Sequence, residues 1–247
     1  MVNDLQIDPA EQLRYARQIL LPGWGEAAQE QLKASTVFVA GAGGLGSPLA
    51  LYLAAAGVGR LIIADRDEVE LSNLNRQVLH NSSRVGHAKA ISAARTLGEL
   101  NPGVRIDPWV AEIDEAFLDE NARDADLLID CLDNLPTRRA LSRHCLRWQK
   151  PLLFGAIWGL EGRLSLLRPG QGPCVSCLFP EDPPGGSFPV LGATPGIIGS
   201  LQAMEALKLL AGQPTALLDR LLVFDGLQMR TQTLKLQRDP HCPDCGA

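Results

Sequence analysis

The sequence predicts an α/β protein, a doubly wound and mostly parallel sheet with helices on both faces. Antiparallel strands extend that sheet in the C-terminal part. Three observations carry this prediction. Short apolar, β-branched runs alternate with segments of helical periodicity from residue 36 to about 157, an order that calls for a parallel sheet. A glycine-rich turn, Gly41-Ala42-Gly43-Gly44-Leu45-Gly46, sits at the first strand–helix junction. Beyond about residue 160 the alternation gives way to runs that read as consecutive strands.

The elements follow in order. Residues 9–33 read as two short helices: Leu13, Ala16, Ile19 and Leu20 recur at helical spacing, and Pro22-Gly23 ends the first. Thr36 to Ala40 and Arg60 to Asp65 are apolar runs of the kind buried in a parallel sheet, and Leu45 to Ala56, closed by Gly57, is the helix between them. Then come a helix over 86–100 ended by Asn101-Pro102-Gly103, a strand over 104–110 and a helix over 114–122. A strand from Asp126 to Cys131, a helix over 136–148 and a strand over 151–157 complete the alternating part. Residues 162–168 and 220–236 look antiparallel, separated by a Pro/Gly-rich loop over 169–195 and a helix from Gly196 to Ala211. Structureless loops beyond about 12–15 residues are uncommon in compact domains and are mostly functional. No linker-like stretch divides the chain, so residues 1–247 are expected to form one domain, with N-terminal helices (1–35), an alternating part (36–160) and a C-terminal part (161–247). The succession is Rossmann-like.

Composition narrows the function classes. The chain has 247 residues, 46% hydrophobic and 21% charged, enough to bury a sizeable core. Its 23 basic and 28 acidic residues leave a net charge of −5 with no Lys/Arg-rich run, so no nucleic-acid partner is expected. The start, Met1 to Gln12, lacks the basic and apolar regions of a signal peptide, and no apolar stretch approaches the roughly 18 residues of a membrane span. A cytoplasmic protein without a membrane partner is the expectation.

Gly41 to Gly46 fits G-x-G-x-x-G between a strand and a helix, where glycines admit a phosphate to the backbone and the helix offers free N–H groups. Asp65, at the tip of the next strand, is placed to accept hydrogen bonds from ribose hydroxyls. The alternative is a glycine turn that serves only helix–strand packing. No G-K-[ST] follows, so the turn is not a P-loop, and by itself it does not separate NAD from ATP.

The next segment, Asp65-Arg66-Asp67-Glu68-Val69-Glu70-Leu71-Ser72-Asn73-Leu74-Asn75-Arg76-Gln77, is followed by Lys89. Together with Arg14-Tyr15-Ala16-Arg17-Gln18, Ala56 to Gly59, Asn101-Pro102, Asp130 to Asn134, two Cys pairs and Gly199 to Ala203, it resembles the ubiquitin-activating-type adenylyltransferases (the HesA/MoeB/ThiF group) over nearly the whole chain. These include the enzymes that activate the sulfur carriers of molybdopterin and thiamine synthesis. The resemblance implies ATP rather than NAD, and a carrier's C-terminal carboxylate activated as an acyl-adenylate with loss of pyrophosphate. Both reactants are anions, so such a site must gather cations and a metal.

By resemblance, Asn73, Arg76 and Lys89 contact the triphosphate, Asp65 holds the ribose, and Gly41, Gly43, Gly44 and Gly46 bring backbone to the nucleotide. Asp67, Ser72 and Asn134 belong to the same set. Asp133 is the expected ligand of Mg²⁺, which takes one or two carboxylates together with phosphate oxygens. Taken singly, Arg76 and Lys89 would more commonly be solvated helix charges, and Asp133 could cap the helix beginning at Leu135; within the full set the functional reading prevails. Asp130 is expected to be structural. Arg14 and Arg17 share one helix face. The resemblance places Arg17 at the phosphate of a neighbouring subunit's site, which implies a homodimer. The catalytic set is therefore Asp133, Arg76, Lys89 and Arg17.

Cys174-x-x-Cys177 and Cys242-x-x-Cys245 supply the four thiolates of a structural Zn²⁺ site, with a pair of redox dithiols as the alternative. His241 is at most a spare ligand, and Cys131 and Cys145 read as small core residues. Several members of the resembled family carry a further loop cysteine that bonds covalently to the carrier. Here Pro183-Pro184-Gly185-Gly186-Ser187-Phe188-Pro189 contains none, and no Cys lies between Cys177 and Cys242. Ser187, an unactivated hydroxyl, is a poor substitute. The expectation is an enzyme that stops at the acyl-adenylate and relies on a separate sulfur donor, with no appended sulfurtransferase domain after Ala247. A molybdopterin-type carrier ending in Gly-Gly is expected first and a thiamine-type or other thiocarboxylate carrier second; from another class, an NAD-dependent oxidoreductase is the rival.

Overall fold

The computed structural model describes residues 6–180 and 189–246. One 8-stranded sheet organises the chain in the order β3-β2-β1-β4-β5-β6-β7-β8. Strands β1 (Thr36–Ala40), β2 (Arg60–Ala64), β3 (Arg105–Trp109), β4 (Leu127–Asp130) and β5 (Leu152–Trp158) run parallel. Strands β6 (Glu161–Leu167), β7 (Arg220–Asp225) and β8 (Arg230–Lys235) continue the sheet antiparallel. The chain reverses direction of build between β1 and β4, so a crevice opens at the carboxyl ends of those two strands, where doubly wound sheets bind ligands.

Helices α2 (Gly25–Ala34), α3 (Gly46–Ala56), α4 (Lys89–Leu100) and α8 (Ala193–Leu210) cover one face of the sheet, and α5 (Glu115–Asn121) and α6 (Leu135–Trp148) the other. Each face builds its own apolar layer: Leu32, Leu49, Leu53 and Leu97 on the first, Phe38, Phe154, Leu118 and Leu141 on the second. Full burial of one such side chain contributes about 1.5–3 kcal/mol. Helix α1 (Pro9–Ile19) starts with a reciprocal cap, Asp8 to the Glu11 N–H and Glu11 to the Asp8 N–H, both at 2.8 Å. Among the described residues no helix is long and apolar enough to cross a membrane.

Three boundaries differ from the sequence expectation. The helix expected from residue 86 starts at Lys89, because 86–88 pair with the segment after β2 instead: Val69 donates to the His87 carbonyl and Gly86 to the Val69 carbonyl. Helix α8 starts at Ala193 rather than Gly196; Pro195 falls in its first turn, where a missing N–H costs nothing. The long loop also contains a helical turn, α7 (Val175–Leu178). The Pro183 to Phe188 stretch, in which a loop cysteine is missing, lies outside the described residues.

Candidate active site

The carboxyl ends of β1 and β4 open into a cavity of about 1120 Å³. Gly41, Gly43 and Gly44 line it after β1, Asp65 and Asp67 after β2, Asp133 and Asn134 after β4, and Arg76 from the intervening loop. The cavity continues along Ala156 to Trp158 and Arg163 of the β5–β6 hairpin.

Two glycines are required sterically. Gly41 adopts φ +97°, and a Cβ there would lie 2.9 Å from the Cys131 carbonyl oxygen. A Cβ on Gly46 would lie 2.1 Å from the Gly41 carbonyl oxygen, so Gly46 serves the close packing of α3 against the loop and does not line the cavity. No side chain caps the start of α3, and its N-terminal dipole end faces the glycine turn.

Asp65 is fixed by accepting from the Ala42 N–H at 2.8 Å and the Asp67 N–H at 2.9 Å. Burial raises its pKa, opposed by the Lys89 charge and those two N–H groups. Lys89 is almost fully buried and pairs with Asp67 at 2.9 Å, so it reaches the cavity wall through that carboxylate. Arg76 folds over its own turn, donating to the Ser72 carbonyl and to Asn75 Oδ1, each at 3.0 Å. Ser72 and Asn73 do not line the cavity: Ser72 Oγ donates to Glu70, and Asn73 Oδ1 accepts from the Glu70 N–H at 3.2 Å. Arg17 is exposed on α1 and does not reach this chain's cavity.

Asn134, not Asp133, caps α6, accepting from the Thr137 N–H at 3.0 Å. That leaves the exposed Asp133 carboxylate at the cavity wall with no hydrogen bond among the described residues. A carboxylate in that condition suits a hard divalent cation. Asp130 is structural: fully buried, it pairs with Arg138 Nη1 at 3.0 Å. Arg138 also donates to the Gly155 carbonyl at 2.9 Å and to the Leu132 carbonyl. Sequence reasoning missed Arg138, which nothing local couples to Asp130. It also gave no role to Gln77, which ends the Asp65 to Gln77 segment, or to His80, three residues beyond it.

The four cysteines of the two knuckles converge, their sulfurs all within 4.8 Å of one another. Cys174 and Cys242 Sγ lie 3.5 Å apart and Cys177 and Cys245 Sγ 3.4 Å. A tetrahedron of bonds of about 2.3 Å has edges of roughly 3.8 Å, so the donor set fits a four-thiolate metal site. Ser176 and Arg143 both reach Asp244 beside it, Arg143 at 3.9 Å. His241 stays outside the cluster. Cys131 and Cys145 are buried, and burial pushes both thiols up, away from the reactive thiolate.

A mostly parallel sheet with a glycine turn, an acidic residue at the tip of the second strand and a crevice between the reversed halves defines a doubly wound α/β protein. More narrowly, the chain matches the ThiF family over residues 15–244 and belongs to it. It is 45% identical over 246 residues to the adenylyltransferase and sulfurtransferase MOCS3-1 of Zea mays, covering 96% of this chain and 53% of that protein. It thus spans about half the length of the maize relatives it matches. The sulfur carrier protein adenylyltransferase of Thermus thermophilus is 43% identical over 244 residues, covering 94% of this chain and 90% of the relative. The SAMP-activating enzyme E1 of Haloferax volcanii is 44% identical over 248 residues, covering 98% and 92%. Among solved structures, E. coli MccB shares the fold with a TM-score of 0.85 at 22% identity, over 98% of this chain and 74% of MccB.

Proposed function

We propose that this chain is an ATP-dependent adenylyltransferase acting on a small ubiquitin-like sulfur carrier. The carrier's C-terminal Gly carboxylate attacks the α-phosphate, and acyl-adenylate and pyrophosphate result. One observation carries the reading: the glycine turn, Asp65, Arg76 and Asp133 open onto the same cavity that continues along the β5–β6 hairpin, which gives room for a nucleotide and an extended Gly-Gly tail end to end. The relatives' names support the carrier. The chain is read as a single domain whose last third receives that carrier.

In this reading Gly41, Gly43, Gly44 and Asn134 bring polar backbone or side chain to the nucleotide, and Asp65 accepts from the ribose. Arg76 and Lys89 turn toward the triphosphate, Lys89 leaving Asp67, while Ser72 and Asn73 hold the turn that carries Arg76. Asp133 would hold Mg²⁺, which neutralises charge on the departing pyrophosphate. Arg17, exposed on α1, completes the site of a partner subunit in a homodimer. Cys174, Cys177, Cys242 and Cys245 hold a structural Zn²⁺ that ties the C-terminus to the loop after β6. Both remaining cysteines are buried core residues, so the sulfur that displaces the adenylate is read as coming from a donor outside residues 1–247. A molybdopterin-type carrier is the first candidate and a thiamine-type carrier the second. The test is carrier-dependent exchange of labelled pyrophosphate into ATP with each Gly-Gly-ended carrier. Exchange with one of them, with carrier-AMP and no covalent carrier–enzyme adduct by mass spectrometry, supports the reading. No exchange with any carrier, or binding of NADH in place of Mg·ATP, overturns it.

A further inference from the structure

We propose that His80 is a positioning residue for the nucleotide loop: its Nε2–H holds the Ala42 carbonyl on the buried side and thereby turns the Gly43 N–H toward the cavity. The inference rests on the nucleotide reading above and assigns a role to a residue outside the expected set.

His80 is 7% exposed, with Nε2 2.9 Å from the Ala42 carbonyl oxygen and Nδ1 2.9 Å from Ser92 Oγ. A carbonyl oxygen only accepts, so Nε2 carries the proton and Nδ1 accepts from the Ser92 hydroxyl. Arg84 Nη1, 3.4 Å from Ser92 Oγ and 2.7 Å from the Ser92 carbonyl, donates to that serine and aims its hydroxyl proton at the ring. Burial, with the Lys89 and Arg84 charges, lowers the His80 pKa against the pull of the Ala42 bond and keeps the ring neutral. The tautomer is thus set from three sides.

Ala42 is also held at its other end, its N–H donating to Asp65 Oδ2 at 2.8 Å. In a trans peptide the C=O and the following N–H point in opposite directions. A carbonyl drawn toward His80 therefore leaves the Gly43 N–H facing the other way, toward the cavity that Gly43 lines. Gly43 has no Cβ to resist rotation of this peptide. Among the described residues no other donor is bonded to this carbonyl, so without His80 it is free to flip and present oxygen where, in the nucleotide reading, a phosphate sits. The ring works as a lock on loop polarity.

Calorimetric titration of the full chain with Mg·ATP and with adenosine tests the lock, because only ATP uses the loop N–H groups. His80→Leu should weaken Mg·ATP at least ~10-fold and change adenosine by less than ~2-fold, the size of one lost charge-assisted contact. His80→Gln, whose amide also donates, should stay within ~3-fold of the wild type. Equal ATP affinity in His80→Leu, parallel loss of ATP and adenosine, or no rescue by Gln overturns the proposal. Should His80→Leu fail to fold, Ser92→Ala decides: it releases the ring at Nδ1 and loosens its hold on the Ala42 carbonyl, and should weaken ATP ~3-fold or more with adenosine unchanged; unaltered ATP affinity overturns the lock. A wild type that binds adenosine but not ATP, or neither, refutes the nucleotide reading itself, a result distinct from a failure confined to the variants.

Discussion

Replacing Arg138 by Met removes the cation beneath the turn that presents Asp133. Asp130 is completely buried, and burial raises its pKa against the opposing pull of Arg138 and the Leu132 N–H. Arg138 meets it at 3.0 Å and also satisfies the Gly155 and Leu132 carbonyls. Methionine keeps much of the volume and leaves the carboxylate without a counter-ion, a change that costs about 3–5 kcal/mol. The sign of the pH dependence follows from linkage. An acid whose folded pKa lies above its unfolded value destabilises the fold at high pH, and that penalty fades as pH falls toward the unfolded value near 3.9. Loss of Arg138 lifts the folded pKa further, so the deficit against the wild type should be full at about pH 8 and smaller at about pH 5. Urea denaturation at both values measures it. Asp130→Asn combined with Arg138→Met should recover roughly half the loss at the higher pH, since no charge is then stranded. A deficit below about 1 kcal/mol, or one equal at both pH values, would refute the claim that the pair neutralises a buried charge.

Other outcomes are as specific. Asp133→Ala should lower pyrophosphate exchange by at least ~10²-fold with an unchanged thermal melt, because Asp133 makes no hydrogen bond among the described residues; normal exchange would place the Mg²⁺ ligand elsewhere. Gly46→Ala drives a Cβ to 2.1 Å from the Gly41 carbonyl oxygen. It should cost about 1–3 kcal/mol in denaturation and weaken Mg·ATP, and a variant equal to the wild type in both would contradict the steric argument. Cys177→Ser removes one of four converging sulfurs and should abolish stoichiometric zinc by metal analysis while lowering the melting temperature. Full zinc retention would exclude the four-thiolate site.

What could be read from the sequence was what announces itself locally. Strands β1, β2 and β4 are buried and apolar except at one end residue each, Thr36, Arg60 and Asp130, the glycine turn is contiguous, and each cysteine knuckle is a four-residue pattern. Residues 86–88 read as helix because their pairing with 67–69 is non-local, and that pairing is what brings Lys89 onto Asp67. Capping of α6 is an alternative reading of Asp133 because Asp133 and Asn134 are equally good capping types, and only backbone geometry gives the cap to Asn134. The supporting groups were illegible for a deeper reason. Arg138 and His80 are polar residues that periodicity consigns to the surface, yet each is buried, and burial without a partner costs several kcal/mol. Their partners, Asp130 and the carbonyls of Ala42, Leu132 and Gly155, belong to other elements. A buried polar side chain whose hydrogen bonds end on the backbone of a ligand loop is therefore the sign that the loop's shape is imposed from below. That sign exists only once the chain has folded, and it separates the groups that hold this site from those that face its substrates.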